Sequence, residues 1–209
     1  MEAVAEEIRL LADEGVDPIE FHLPPVLAMT DDQFFEFCQL NDNLWFERTA
    51  EGGIIVMPPA GSATGDRNSE LNYQLRSWNK KHGRGKVYDS SAGFKLANGA
   101  VVGPDASWVL NSRLTGFTQK EREKFLNLCP DFVAELRSST DRLSRLQRKM
   151  EQYIANGARL GWLIDPRQKR VHIYRPGHDV VVLDHPSSVS GDPELPGLVL
   201  DLTEIWDPL

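Results

Sequence analysis

The segment Phe132–Leu136 constrains the fold more than any other part of the sequence, because it is short and almost wholly apolar. A strand that is buried on both faces has this composition, and such strands lie inside sheets covered by helices. Apolar positions recur at helical spacing before and after it, over residues 64–81 and 142–156. We therefore predict an α/β fold in which helices flank a mixed central β-sheet.

The length of 209 residues suits one good hydrophobic core and is short for two full domains. Residues 3–11 have the pattern of an amphipathic helix, and the Pro-containing stretch 17–28 reads as an extended connector. We predict an N-terminal extension over residues 1–29, formed by this helix and connector, followed by a single domain over residues 30–209.

The remaining elements follow from periodicity and turn signals. Thr30 is a typical N-cap for a helix that ends near Asn41. Strands are predicted over residues 44–48, 53–57, 86–89, 93–96, 105–109, 160–164, 170–174 and 180–183, and a short helix over 118–126. The first two strands should form an antiparallel pair. Residues 187–209 are predicted to be a loop and a short terminal element that covers an edge of the sheet.

Bulk properties indicate the compartment. The longest apolar stretches fall far below the roughly 18 residues that suggest a membrane span, and the acidic N-terminus is unlike a secretory signal. The two cysteines, Cys38 and Cys129, are too few for a disulfide framework. We expect a cytoplasmic protein without membrane contact.

The charge distribution is uneven along the chain. Residues 1–20 carry seven acids and one Arg, and residues 176–209 carry seven acids and no Lys or Arg. The net charge of −8 therefore leaves +5 on residues 21–175. Six basic residues lie within 67–86 and five within 137–149. These clusters are either solvated helix faces or surfaces that contact a phosphate backbone.

Two acids stand where chemistry is expected. Glu135 lies late in the apolar strand, and Asp105 follows Pro104 at the start of another. Burying an ionised acid costs several kcal/mol unless it is paired or binds a metal. Two carboxylates at neighbouring strand ends suit Mg²⁺ or Mn²⁺, and a nearby Lys would add a second cation.

Structural roles remain open for the same residues. Asp105 could cap a turn, and Glu135 could pair with Arg137 or with an Arg of the next helix. Glu47 could be an exposed strand end. Lys149 lies at the border of an apolar helix stripe, so its stem could be partly buried while its ammonium reaches solvent.

Taken together, the ordered motifs resemble the Uma2 family, formerly a domain of unknown function, over residues 30–208. The motifs are Trp45-Phe46-Glu47-Arg48-Thr49, Ile54-Ile55-Val56-Met57-Pro58-Pro59, Pro104-Asp105, Pro130-Asp131-Phe132-Val133-Ala134-Glu135-Leu136-Arg137-Ser138, Lys149-Met150-Glu151-Gln152-Tyr153 and Gly161-Trp162-Leu163-Ile164-Asp165-Pro166. That family is similar to restriction-type nucleases of the PD-(D/E)XK superfamily. The resemblance implies a restriction-endonuclease-like core.

The resemblance also implies site roles. Asp105 is the acid of the Pro-Asp motif, Glu135 is the second acid, and Glu47 is the acid from the N-terminal part. Arg137 stands where the usual motif has Lys. We prefer Lys149 for that role, supported by Tyr153 four residues later, because Arg137 would stay protonated and could not act as a base.

These expectations lead to one main hypothesis, a Mg²⁺- or Mn²⁺-dependent endonuclease acting on DNA. Asp105 and Glu135 would hold the ion, and two engaged active sites would require a homodimer. The candidate nucleic-acid contacts are Arg67, Arg76, Lys80, Arg137, Arg142, Arg145 and Arg148. The alternative is a non-catalytic nucleic-acid-binding or regulatory module that keeps the nuclease fold.

Overall fold

A computed structural model of the chain describes residues 15–208. The helix predicted over residues 3–11 lies outside the described residues. The strands are β1 (Ile19–Phe21), β2 (Trp45–Arg48), β3 (Ile54–Met57), β4 (Gly85–Asp89), β5 (Phe94–Lys95), β6 (Val101–Val102), β7 (Ala106–Leu110), β8 (Phe132–Leu136), β9 (Leu160–Asp165), β10 (Arg170–Tyr174), β11 (Val181–Asp184), β12 (Ser188–Ser190) and β13 (Val199–Asp201). The α-helices are α1 (Asp31–Leu40), α2 (Ser62–His82), α3 (Asn111–Leu114), α4 (Gln119–Arg122), α5 (Leu143–Ala155) and α6 (Thr203–Trp206).

A six-stranded sheet carries the centre of the fold, in the order β11-β10-β9-β8-β7-β4. Strands β8 and β9 are parallel and the other neighbours are antiparallel, so the sheet is mixed. Every residue of β8 and of β9 is buried. Helix α5 connects these two strands, as expected of a parallel crossover. The prediction of a central, doubly covered strand at Phe132–Leu136 is confirmed.

A second sheet of five short strands has the order β1-β3-β2-β6-β5. The predicted antiparallel pair, β2 and β3, lies inside it. Two of its members were missed by sequence reasoning: β1 falls in the stretch that we predicted as an extended connector, and β6 has only two residues. Such short strands depend on pairing with distant residues, which local periodicity cannot reveal.

Helix α1 begins as predicted. The Thr30 hydroxyl accepts a hydrogen bond from the Gln33 backbone, and the Gln33 side chain accepts one from the Thr30 backbone, which forms a capping box. The apolar side of the helix packs on the second sheet in a cluster of buried residues built from Phe34, Ile54 and Val101.

Two layers cover the six-stranded sheet. On one face, Met150 and Tyr153 of α5 pack with Val133 and Leu163. On the other face, Leu71, Leu75 and Trp78 of α2 pack with the alternate residues of the central strands. The side chains of β8 therefore divide between the layers, and those of Val133 and Glu135 share the α5 side.

The prediction that residues 187–209 cover an edge is wrong. Residues 187–208 contain β12, β13 and the short terminal element that was predicted, α6, but Leu198, Leu200 and Ile205 belong to the core beside α2. The indole of Trp78 donates to the Pro196 carbonyl at 3.1 Å, which ties the segment to α2. Apolar residues at these positions pack on a face of the six-stranded sheet, where more of their apolar surface is removed from water than at an edge of the sheet.

The helix predicted over residues 118–126 is shorter than expected. It begins with the capping box of Thr118 and Glu121 and ends at Arg122. Leu126 instead forms a bridge with Phe94, and its carbonyl accepts a hydrogen bond from the Lys95 backbone at 2.8 Å. Burial of Leu126 in this position outweighs the local helical preference. Within residues 15–208, no helix is both long enough and apolar enough to cross a membrane.

Candidate active site

The strand register brings Asp105 and Glu135 together. Strands β7 and β8 are antiparallel, and Ala106 pairs with Ala134, so the next residues outward, Asp105 and Glu135, become neighbours. The Leu136 backbone N–H donates to Oδ2 of Asp105 at 2.8 Å. Asp105 is partly exposed whereas Glu135 is buried, so the pair links the interior of the protein to its surface.

Lys149 of α5 occupies the centre of the site. Its ammonium lies 2.7 Å from Oε1 of Glu47 and 2.9 Å from Oε1 of Glu135, and it donates to the Gly103 carbonyl at 3.2 Å. Only 9% of Lys149 is exposed. The predicted alternative, in which this side chain reaches solvent, does not occur. The structure thus brings Glu47, Asp105, Glu135 and Lys149 into one cluster.

The residues around the ammonium are themselves fixed. The Tyr153 hydroxyl, one helical turn after Lys149, donates to Oε1 of Glu135 at 2.9 Å. The Gly103 backbone N–H donates to Oε1 of Glu47 at 3.0 Å. Glu47 is not an exposed strand end, since it is 6% exposed and bonded on the inner side of β2. These contacts leave the carboxylates and the ammonium little rotational freedom.

Burial and repulsion perturb the acids. Burial raises the pKa of Glu135 to about 7, the Lys149 ammonium opposes this shift, and the Asp105 and Glu47 carboxylates add to it. Burial also raises the pKa of Asp105, against the effect of the Leu136 N–H and of Lys149. Burial acts to lower the pKa of Lys149, but the Glu135 and Glu47 carboxylates outweigh it and raise that pKa. The ammonium therefore stays protonated.

This donor set fits a hard divalent cation. Two carboxylates, those of Glu47 and Glu135, contact the buried Lys149 ammonium, with Asp105 on the adjacent strand end, and Arg145 lies 3.9 Å from Oε2 of Glu47. Among residues 15–208, no group of three or more His, Cys, Asp or Glu side chains is arranged to hold a metal. A Mg²⁺ ion needs only one or two protein carboxylates when water and substrate phosphate supply the other oxygens. Asp105 and Glu135, at adjacent strand ends, are the two carboxylates that would hold such an ion.

Arg137, at the position of the usual motif lysine, is committed elsewhere. It is 2% exposed, and its Nη1 donates to Oδ2 of Asp165 at 2.8 Å. Its Nε donates to the Asp141 carbonyl at 3.1 Å. Lys149 is a cation in direct contact with Glu135, at 2.9 Å. A buried and paired guanidinium does not offer its charge to a surface ligand, so Arg137 is not placed to contact nucleic acid.

The other candidate nucleic-acid contacts fall on two helices. On α2, Arg76 and Lys80 are exposed, although Nη1 of Arg76 donates to the Val87 carbonyl at 3.2 Å, and the less exposed Arg67 donates from Nε to the Ile205 carbonyl at 2.8 Å. At the start of α5 and along it, Arg142 and Arg148 are exposed. Arg142 also lies 3.4 Å from Asp17, and Arg145 is directed to Glu47 and to Met57. Both helices flank the acidic cluster.

Two functional candidates were missed by sequence reasoning. Asn68 and Asn72 of α2 both contact Asp105: Nδ2 of Asn68 donates to Oδ1 at 3.2 Å, and Nδ2 of Asn72 donates to the backbone carbonyl at 3.0 Å. The sequence pattern that could have identified them is two asparagines four residues apart, on the side of α2 that carries Leu71 and Leu75.

The mixed sheet, the parallel β8–α5–β9 crossover and the acids at the ends of adjacent strands define a restriction-endonuclease-like α/β protein. The sequence profile of the Uma2 family, described as "Putative restriction endonuclease", matches residues 31–203. The chain belongs to the Uma2 family, and the resemblance seen in the sequence is confirmed.

The fold is also similar to a solved structure described as "a putative nuclease belonging to DUF820" from Anabaena variabilis ATCC 29413. The two chains are 22% identical, with a TM-score of 0.69, and the match covers 85% of this chain and 97% of the other. At this identity the likeness establishes the fold. No curated protein matches the chain.

Proposed function

We propose that this protein is a metal-dependent endonuclease that hydrolyses DNA phosphodiester bonds. The observation that carries the proposal is the contact of one buried ammonium, that of Lys149, with Glu47 and Glu135 beside the partly exposed Asp105. Nuclease-like relatives and the basic helices around the site support nucleic acid as the substrate.

Asp105 and Glu135 would hold Mg²⁺ or Mn²⁺. When bound, such an ion lowers the pKa of water and stabilises negative charge on the phosphorus oxygens. Fixed donors support the two acids: Leu136 N–H and Asn68 hold Asp105, and Tyr153 holds Glu135. Each carboxylate keeps lone pairs beyond those used by its donors, so both can coordinate without breaking these bonds.

Lys149 acts as a protonated donor. Its raised pKa makes it unsuited to accept a proton near neutral pH, so it would orient the attacking water or contact a phosphate oxygen. Glu47 holds the ammonium in place through the 2.7 Å ion pair. Glu135, with its pKa near 7, is the group whose charge changes in the physiological range.

The exposed basic residues of α2 and α5 would contact phosphates on either side of the scissile bond. Arg76 and Lys80 lie on α2, Arg148 lies on α5, and Arg142 directly precedes α5. Such contacts position the duplex without reading its sequence. Cleavage of both strands would further require two copies of the site, which a homodimer supplies.

A second candidate is a non-catalytic nucleic-acid-binding module. Its support is that Lys149 already donates to three oxygens, of Glu47, Glu135 and Gly103, so the ammonium is saturated without a ligand. A network of this kind would also serve to hold α5 on the sheet.

Plasmid nicking distinguishes the two. The full-length protein is incubated with supercoiled DNA and Mg²⁺, alongside Asp105→Asn, Lys149→Gln and the surface variant Lys120→Gln as a matched control. The endonuclease proposal expects nicking by the native protein and by Lys120→Gln only. DNA binding without nicking by any of the four proteins would favour the second candidate.

A further inference from the structure

Three asparagines lie along one side of α2. Asn68, Asn72 and Asn79 are separated by four and seven residues, which places them on the same helical stripe, beside the six-stranded sheet. Asn68 and Asn72 lie at Asp105, and Asn79 lies about 10 Å further along the helix axis than Asn72. The three residues therefore allow the same side chain to be compared at the site and away from it.

The asparagine away from the site is fully paired. Oδ1 of Asn79 accepts a hydrogen bond from the Trp108 indole at 2.8 Å, and its Nδ2 donates to the Gly85 carbonyl at 3.0 Å. This is the usual state of a buried amide, because an unpaired polar atom removed from water is unfavourable.

The two asparagines at the site are paired on one side only. Their amide nitrogens donate to Asp105, but Oδ1 of Asn68 and Oδ1 of Asn72 are buried without a hydrogen-bond partner among residues 15–208. Rotating either amide by 180° would not repair this. Nδ2 of Asn72 faces two carbonyls, those of Asn68 and Asp105, and Nδ2 of Asn68 faces a carboxylate oxygen. These acceptors fix the orientation of both amides.

Two buried acceptors beside a carboxylate require a donor. Water held by a divalent cation supplies one, because Mg²⁺ usually keeps several of its waters when it binds one or two carboxylates. An amide oxygen accepts a hydrogen bond from such water, while the amide nitrogen of Asn68 holds the Asp105 carboxylate and that of Asn72 holds the Asp105 backbone. Asn68 and Asn72 carry both groups within reach of Asp105.

We infer that Asn68 and Asn72 are positioning residues of the metal site, which hold Asp105 through their amide nitrogens and bind water of the hydrated cation through their amide oxygens. This inference rests on the proposed function. Neither residue contacts the scissile phosphate; both act through Asp105 and through the cation's water.

The test is calorimetric titration of the metal-free full-length protein with Mn²⁺, which requires no activity. The native protein is compared with Asn68→Ala, Asn72→Ala and the matched control Asn79→Ala. We expect the Kd for Mn²⁺ to rise about tenfold or more in the first two variants and to stay at the native value in Asn79→Ala. Thermal melting in a chelator measures the stability lost by each variant. A purely structural effect would lower the melting temperature of all three variants, whereas a loss of Mn²⁺ affinity is expected in the first two only.

A second variant keeps the test decisive if Asn68→Ala does not fold. That variant is Asn72→Ala, which leaves the hydrogen bond from Asn68 to the Asp105 carboxylate in place, and we expect its Kd for Mn²⁺ to exceed those of the native protein and of Asn79→Ala. Unchanged Mn²⁺ affinity in Asn68→Ala and Asn72→Ala, with clear binding by the native protein, would overturn this inference alone. No Mn²⁺ binding by the native protein would overturn the metal site and the inference together.

Discussion

The ammonium of Lys149 lies 2.9 Å from Oε1 of Glu135, and both side chains are buried almost completely from water. The contact joins the helix of a parallel crossover to the strand before it, so the geometry of the site depends on how α5 packs on the sheet. Loss of either partner leaves a charge in a low-dielectric environment, and the consequence reaches both stability and chemistry.

Replacing Lys149 by Met should therefore destabilise the protein and abolish nicking. The variant leaves Glu47 and Glu135 buried without their cation, which costs about 3 kcal/mol or more. Denaturant unfolding of the native and variant proteins measures the loss. The double variant Glu47→Gln, Lys149→Met removes one stranded charge and should recover part of the stability but none of the activity. If the double variant is less stable than Lys149→Met, the Glu47 and Glu135 carboxylates do not repel each other in the single variant.

The pH dependence follows from Glu135. Its pKa of about 7 in the folded protein exceeds the ordinary value of 4.5, chiefly because of burial. Between these values the folded state holds a proton that the unfolded state releases, so the free energy of unfolding of the metal-free protein should fall as pH rises from 4.5 toward 7. Thermal melts across this range in a chelator measure the trend.

Mn²⁺ binding should respond in the opposite direction. The cation needs the ionised carboxylate, so its affinity should increase as pH rises through about 7, the pKa of Glu135. Calorimetry at several pH values, in buffers of different ionisation enthalpy, reports both the affinity and the proton released. Glu135→Gln is the control, since it removes the titrating group. A native affinity that does not change with pH would contradict this assignment.

The sequence predicted the central strand and the acids at its end because both signals are local. An acid in the apolar run Phe132–Leu136 is unusual whatever the rest of the chain does, and the capping residues around Thr30 act within one helical turn. The position of Lys149 at the border of a helix stripe also suggested partial burial. Its actual partners became visible only when β2, β8 and α5 were assembled.

The features that the sequence did not predict depend on residues far apart in the chain. Arg137 and Asp165 are 28 residues apart, and Asn68 and Asp105 are 37 apart. A polar residue has many possible partners at such separations, and packing of the sheet selects one. The C-terminal segment was misplaced for a similar reason, because apolar residues such as Leu198 can cover an edge or a face equally well until the layers are known.

Arg137 provides a test of which cation serves the site. The guanidinium and the Asp165 carboxylate are 1% and 0% exposed, so Arg137→Met should cost about 3–5 kcal/mol of unfolding free energy by stranding the carboxylate. Arg137→Lys restores the residue type of the usual motif, and we expect it to keep Mn²⁺ affinity at the native value because the Arg137 side chain is bonded to Asp165 and to the Asp141 carbonyl. If the Arg137→Lys, Lys149→Gln double variant nicks DNA and Lys149→Gln alone does not, a lysine at position 137 can take over the role of Lys149.

DNA binding should depend on salt through the exposed residues of α2. Each phosphate contact contributes a slope of about 0.9 to the fall of log affinity with log salt concentration, so Arg76→Ala combined with Lys80→Ala should lower the slope by about 2. Fluorescence anisotropy with a labelled duplex, in Ca²⁺ or chelator to prevent cleavage, measures it. Arg67→Ala is the matched control on the same helix, because Arg67 is less exposed than Arg76 and Lys80 and its Nε is bonded to the Ile205 carbonyl, and it should leave the slope unchanged. If the double variant keeps the native slope and Arg67→Ala does not, the duplex contacts the side of α2 that faces α6.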